Sequence, residues 1–158
     1  MKADIWEGGH RVPFIATWPN KIKANTISYQ TICLTDVISS IASILGIKKS
    51  RNEMPDSFDI SPILFGKEKP VRESIVHHSI DGTFAIRKDD WKLIIGNNSG
   101  GFSKALDIKG IPVQTKGQLY NLSKDPSEKN NLYATHPNIV KQLTELLNTQ
   151  KSSGYSME

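Results

Sequence analysis

The sequence predicts an α/β chain of the α+β type, in which a small antiparallel sheet of about four strands is packed by a C-terminal helix. Apolar residues follow a helical period before Pro70 and a period of two after it. Asp81-Gly82 and Asp89-Asp90 are tight turns that separate period-two runs. After Pro137, apolar residues recur at the spacing of one helix face. These three observations define the predicted C-terminal architecture.

Length and charge limit the possible classes of protein. The 158 residues suffice for one ordinary domain, or for two small subdomains, with a sizeable core. The net charge is +4, but basic residues alternate with acids and do not cluster with aromatics, so we expect no nucleic-acid partner. No apolar run of 18 residues is present, so we expect no membrane partner. No signal peptide opens the chain, and the residues alone leave its localisation undefined.

Residues 1–66 are predicted to be the end of a larger α/β domain. Nearly continuous apolar residues predict a strand at about 12–18, buried on both faces of a mixed sheet. Apolar residues at helical spacing predict a helix at about 35–45, with Thr35 as its N-cap and Gly46 at its end. One helical turn is expected at 61–64. The single cysteine, Cys33, excludes an internal disulfide, and its apolar context predicts a buried thiol.

Residues 71–150 are predicted to form a C-terminal subdomain, consisting of an antiparallel meander and one helix. The expected strands cover residues 74–80, 83–88, 91–96 and 118–122. Residues 97–117 should form a long loop. Pro137 suits the first turn of the helix predicted at about 137–149, which we expect to lie across the meander. Residues 151–158 are expected to be a frayed tail.

Several residues near the N-terminus are candidates for chemistry. Lys2 carries a compact charge with three hydrogen-bond donors, suited to an anionic transition state, although a disordered terminal lysine is the alternative. The Glu7-Gly8-Gly9 turn contains two glycines that are able to adopt positive φ beside a ligand. His10 is a candidate contact to a substrate oxygen or to a second anionic group, and a structural or solvated histidine is the alternative. Arg11 is a candidate for bracing the turn or binding substrate.

His77 and His78 are adjacent in a predicted strand, so their side chains should point to opposite faces. They therefore cannot both bind one metal ion, but one of them is a candidate substrate contact. The aspartates lack the spacing of a calcium loop. We expect no metal site and no cofactor that is held by this chain alone.

The chain resembles the second half of a type I sulfatase, of the alkaline phosphatase superfamily. Five segments appear in the order that is typical of that family: K-A-D-I-W-E-G-G-H-R-V-P, I-C-L-T-D-V-I-S-S-I-A, D-S-F-D-I-S-P-I-L-F-G, T-F-A-I-R-K-D-D-W-K-L-I and Q-L-Y-N-L-S-K-D-P-S-E-K-N-N-L. Asn20 and Asp90 stand where the family usually has glycine.

The resemblance implies the C-terminal part of an alkaline phosphatase-like fold and hydrolysis of sulfate monoesters. It implies that Lys2 contacts the substrate sulfate in the complete enzyme. That enzyme would also use calcium and a formylglycine, and Cys33 lacks the sequence context of a formylglycine precursor. The implied partners are an N-terminal sulfatase half and a sulfated glycan or aryl sulfate ester. A periplasmic or secreted location is expected for the parent family.

Three readings stay open at this point. The first is a sulfatase fragment that is inactive alone. The second is a phosphoester or phosphonate hydrolase of the same superfamily, and the third is a non-catalytic binding or interaction module. On the fragment reading, the apolar residues of the first half would be exposed and would favour self-association.

Overall fold

The central element is a four-stranded antiparallel sheet, as the sequence predicted. The computed structural model describes residues 1–48, 50, 53–103 and 116–156. The strands lie in the order β1 (Ser74–His78), β2 (Phe84–Lys88), β3 (Trp91–Ile94) and β4 (Gln118–Asn121). β2 and β3 pair so that Lys88 faces Trp91 across the turn, where Asp89 has a φ of 52°. The Asp89-Asp90 turn therefore has the left-handed residue that a tight hairpin requires.

The two faces of the sheet bury separate apolar clusters, because successive side chains of a strand point to opposite faces. On one face, Ile5 and Trp6 cover Ala85, Ile94 and Tyr120. The other face is covered by helix α4 (Pro137–Ser153), as predicted. That cluster contains Ile86, Leu93, Leu119, Leu143 and Leu147. The N-terminal segment thereby takes part in the core of the sheet.

Helix α4 extends to Ser153, beyond the predicted end at 149 and into the predicted frayed tail. The ammonium of Lys151 lies 4.2 Å from the centre of the Phe84 ring, and a cation at the last turn also suits the helix dipole. These contacts fasten the last turn to β2. The described residues contain no helix that is long and apolar enough to cross a membrane.

The described chain divides into two compact units. The first contains Met1–Val12 and Val76–Ser153, and the second contains Pro13–Ile75 with the residues from Gly154. The N-terminal twelve residues thus belong to the sheet unit, whereas the sequence pattern predicted that they belong to one domain with residues 13–66. The boundaries proposed for the parent enzyme stay a prediction.

In the second unit, helix α2 (Asp36–Ile44) packs with the short helix α3 (Ser61–Leu64), and its Ser40 hydroxyl accepts the amide of Ile60, the residue before α3, at 2.9 Å. Asp36 is fully buried, pairs with Arg72 and accepts the Phe58 amide at 3.0 Å. Thr35 stands at the N-cap position, but its hydroxyl makes no capping hydrogen bond. The Cys33 amide instead donates to Asp36 at 2.7 Å, and Cys33 is half-buried, not buried.

The prediction of a strand at 12–18 is wrong. These residues form no regular secondary structure, and Ile15 is 90% exposed. A strand buried on both faces needs hydrogen-bonded neighbours and covering layers, which the described part of this unit does not supply. The outer face of α2 is likewise apolar and exposed, with Ile38, Ile41 and Leu45 each more than half exposed.

Candidate functional site

The turn that carries Lys2 is held by the sheet unit on several sides. Lys2 is exposed, and Ala3 after it has a φ of 76°, a left-handed conformation that an alanine rarely adopts. The Ala3 carbonyl accepts the Ile80 amide at 3.1 Å, and the Ile5 amide donates to the Ser99 carbonyl at 2.7 Å. The turn is thus bonded to two different segments, which hold the backbone that follows Lys2.

Asp4 anchors the same turn through its side chain. Its carboxylate is fully buried and accepts hydrogen bonds from the Ser103 amide, at 3.0 Å, and the Ser103 hydroxyl. Burial acts to raise the pKa of Asp4, but these hydrogen bonds and the N-terminal ammonium, 2.9 Å from the carboxylate, together outweigh it and lower that pKa to about 2. Asp4 is therefore an ionised anchor for the loop at 97–103.

The second glycine of the W-E-G-G turn, Gly9, is needed for space. Glu7–His10 forms a short helix, α1, and neither Gly8 nor Gly9 has a positive φ, in contrast to the expectation from the sequence. A Cβ atom on Gly9 would lie 2.2 Å from the Asp4 carbonyl oxygen. Glycine at this position thus permits α1 to pack directly against the Lys2 turn.

A buried lysine connects α1 to the sheet. Lys92 in β3 is 0% exposed, and its ammonium lies 2.9 Å from a carboxylate oxygen of Glu7 and 2.9 Å from one of Glu128. Glu128 also accepts the Glu7 amide at 2.5 Å. Burial raises the pKa of Glu128, and the Lys92 charge acts in the opposite direction. This ion network is a structural support for the turn.

Sequence reasoning missed the role of Lys92, although a signal was present. Lys92 and Ile94 lie two residues apart in one strand, so both point to the covered face. A charged residue in that register requires a buried partner. Trp6 and Tyr120 on this face are satisfied in a similar way, because both donate to the Gln118 side chain at 2.8 Å.

His10 and His77 lie together beside the turn, with their ring centres 4.3 Å apart. The Nε2 atom of each ring is buried and has no hydrogen-bond partner among the residues that the structure describes. Burial and the nearby Lys92 charge lower the pKa of both histidines, that of His77 to about 3. Both imidazoles are therefore neutral near pH 7.

The other predicted site residues are placed differently. Lys2, Arg11 and His78 are exposed, and His78 points away from His77, as strand alternation predicts. The structure thus brings His10 and His77 together and leaves Arg11 and His78 at the surface. Across residues 1–48, 50, 53–103 and 116–156, no group of three or more His, Cys, Asp or Glu side chains is arranged to hold a metal ion.

Comparisons with known proteins relate this arrangement to one family. A family model described as N-sulphoglucosamine sulphohydrolase, C-terminal, matches residues 2–153. N-acetylgalactosamine-6-O-sulfatase of Bacteroides thetaiotaomicron is 35% identical over 151 residues, which cover 96% of this chain and 29% of that protein. Human arylsulfatase A is 28% identical over 160 residues, which cover 92% of this chain and 31% of that protein.

Solved structures agree with these relatives. A structure described under the metabolism of multiple glycosaminoglycans by Bacteroides thetaiotaomicron has a TM-score of 0.77 and 36% identity, covering 96% of this chain and 31% of its own. The sulfatase PsFucS1 of Pseudoalteromonas sp. shares the fold, with a TM-score of 0.77 at 23% identity, covering 100% of this chain and 33% of its own. The chain therefore spans about 30% of the length of the curated relatives that it matches.

Proposed function

This chain belongs to the sulfatases, in the N-sulphoglucosamine sulphohydrolase C-terminal family, and on that premise we propose that it is the C-terminal part of an enzyme that hydrolyses sulfate monoesters. The observation that carries the proposal is the exposed Lys2 on a turn that is fastened by Ile80, Ser99 and Ser103. A lysine on a backbone held in this way presents its positive charge at a defined point of the surface, where it is available to an anionic group.

In the proposed mechanism, Lys2 contacts the sulfate and stabilises the negative charge on its oxygens as the ester bond breaks. The ammonium supplies charge and hydrogen bonds without transferring a proton to the ester. The braced turn keeps Lys2 in place before the substrate arrives, which lowers the cost of reorganisation. Arg11, which is exposed, is a proposed contact to the rest of the substrate. His78 is also exposed but lies on the other face of the sheet, with its ring centre 6.0 Å from that of Phe84, so it is proposed to contact only a part of the substrate that extends beyond the sheet edge.

The proposed substrate class is a sulfated glycan. Two relatives support it, because one is named N-acetylgalactosamine-6-O-sulfatase and a similar structure is described under glycosaminoglycan metabolism. An aryl sulfate ester is a simpler substrate of the same chemistry, and relatives named arylsulfatase support its use as an assay substrate.

Calcium and formylglycine, which the family resemblance implies for the complete enzyme, do not fit onto the residues described here. The described ranges contain no metal-binding cluster, and Cys33 is followed by Leu-Thr-Asp. We therefore assign both groups to the remainder of the proposed enzyme and derive no step through them from this chain.

The proposed partner is an N-terminal sulfatase half, and the apolar face of α2 supports it. α2 buries polar residues, Asp36, Ser39 and Ser40, and exposes the apolar Ile38, Ile41 and Leu45. This is the reverse of a helix that packs only within its own unit. Three further apolar side chains of the same unit, Ile15, Ile27 and Tyr29, are also largely exposed. Such a set of exposed apolar residues is typical of an interface.

The 158-residue chain is therefore expected to self-associate at high concentration when it is purified alone. Sedimentation velocity between low and high micromolar concentrations should show an increasing mass, together with binding of a dye that is specific for apolar surface. Ile41→Lys should reduce both signals. Lys141→Ala, on the exposed face of α4, is the matched control and should leave them unchanged. A monomer without dye binding would contradict the proposed interface.

The experiment that tests the proposed function compares the 158-residue chain with the upstream-extended product of its gene. Both are assayed with calcium on a fluorogenic aryl sulfate, on sulfated glycosaminoglycan fragments and on the matching aryl phosphate. We expect turnover of sulfate esters by the extended product only. Preference for the phosphate would favour the phosphoester hydrolase, and glycan binding without turnover would favour a binding module. Turnover by the short chain would reveal a nucleophile within it and overturn the proposal.

A further inference from the structure

Resting on the proposed function, we infer that His10 and His77 form a pair that positions Lys2 and does not contact the substrate. The two rings lie 4.3 Å apart, one at the end of α1 and the other in β1. The pair therefore joins the segment that carries Lys2 to the first strand of the sheet.

The burial of one nitrogen in each ring supports a positioning role. The Nε2 atoms of His10 and His77 are both buried and without a hydrogen-bond partner in the described structure. An atom that solvent does not reach is also closed to a sugar hydroxyl or a sulfate oxygen. Lys2 and His78, by contrast, are exposed and open to a ligand.

The pair also faces the backbone of the turn. His10 interacts with the Asp4 carbonyl and His77 with the Ile5 carbonyl. These two residues follow Ala3, whose left-handed conformation must be held by its surroundings. The contacts from Ile80 and Ser99 hold the same stretch from the other side. The direction of Lys2 thus depends on both sets of contacts.

The charges around the pair favour neutral rings. Burial and the Lys92 ammonium act against a proton on either imidazole, and so does His78. His10 acts in the same direction on His77, whereas Glu7 acts in the opposite direction on His10. A neutral imidazole offers a sulfate no positive charge. We therefore expect no second sulfate to bind at His10, a possibility that the sequence alone left open.

The first test uses kinetics of the upstream-extended enzyme. His77→Ala should lower kcat/KM about tenfold or more, and by a similar factor on an aryl sulfate and on a sulfated glycan, because the effect passes through Lys2. In a Lys2→Ala background, His77→Ala should add little further loss. At least one of His77→Asn and His77→Gln, each of which retains a side-chain donor, should recover most of the activity. His10→Ala provides an independent second variant.

Two results would overturn the inference. A loss confined to the glycan substrate would mean that the pair contacts the sugar. If the fold-losses in kcat/KM of His77→Ala and Lys2→Ala multiply in the double variant, the pair acts independently of Lys2. His136→Ala, a histidine that packs on Trp91 instead, is the matched control and should change kcat/KM by less than about twofold.

The second test does not require sulfatase activity. In the 158-residue chain, His77→Ala should speed amide hydrogen exchange at Ile5 and Ile80 about tenfold or more, while Leu93 in β3 stays protected. Unchanged exchange at Ile5 and Ile80 would refute the positioning contact even if the extended enzyme is an active sulfatase. Faster exchange together with an extended product that cleaves no sulfate ester would instead refute the proposed function and leave the contact standing.

Discussion

Replacing Lys2 with alanine in the upstream-extended enzyme is expected to lower kcat/KM for sulfate esters about 10²–10³-fold, as for removal of one fixed donor to a transition-state charge. Lys2 is exposed on a turn whose backbone is held at Ala3 and Ile5. Because the turn is bonded without the Lys2 side chain, the variant should fold normally. The measurement is steady-state kinetics on a fluorogenic aryl sulfate, with thermal unfolding as the folding check.

The separate changes in kcat and KM show whether Lys2 contacts the sulfate in the transition state only or in the bound substrate as well. A fall in kcat would place the contact in the transition state, whereas a rise in KM alone would indicate equal binding of substrate and transition state. Lys2→Arg keeps the charge with a different geometry and should recover only part of the activity. Lys141→Ala removes an exposed lysine elsewhere on the sheet unit and should have no effect. An alanine variant within threefold of the parent would refute the proposed role of Lys2.

Replacing Lys92 with methionine should destabilise the 158-residue chain by about 3–5 kcal/mol, the usual cost of removing one partner from a buried ion pair. Methionine fills a similar volume, so the loss should come from charge and not from a cavity. The Glu7 and Glu128 carboxylates, of which Glu128 is nearly fully buried, would be left without their cation. Urea unfolding at pH 7, followed by tryptophan fluorescence, measures the change.

Protonation of Glu128 should offset part of the stability that Lys92→Met removes. In Lys92→Met the pKa of Glu128 should rise further, since burial raises it already and the opposing Lys92 charge is removed. The folded state then binds protons that the unfolded state releases, so the destabilisation should be smaller at pH 5 than at pH 7. Adding Glu7→Gln and Glu128→Gln should recover part of the stability. Lys141→Met should change it by less than about 0.5 kcal/mol, and an equally small effect of Lys92→Met would show that the network is not a support.

Short-range sequence patterns were sufficient to predict the strands and the helix of the sheet unit. The strands and α4 followed from alternation, from the Asp89-Asp90 turn and from the spacing of leucines after Pro137, all of which act over a few residues. The strand expected at 12–18 failed because an apolar run specifies burial without specifying what covers it. Ile15 is exposed in the described structure.

The candidate site was predictable only in part. Lys2 and the glycine turn were found through the family resemblance, and Gly9 proved to be required by the close Asp4 carbonyl and not by a positive φ. His77 was singled out by residue type, but its contact with His10 was not foreseen. Residues that are far apart in the chain meet here, and no short-range spacing predicts such a meeting.

The sequence by itself determined the family, the order of the strands and the amphipathic helix, because motifs, turn residues and periodicity are local properties of the chain. Only the tertiary structure decided that Lys92 meets Glu7 across 85 residues and that Glu128 meets the Glu7 amide across 121. It also decided that a neutral histidine pair lies beside the Lys2 turn. The physical reason is that burial and charge pairing depend on which segments the fold brings together, and this is set by packing of the whole unit.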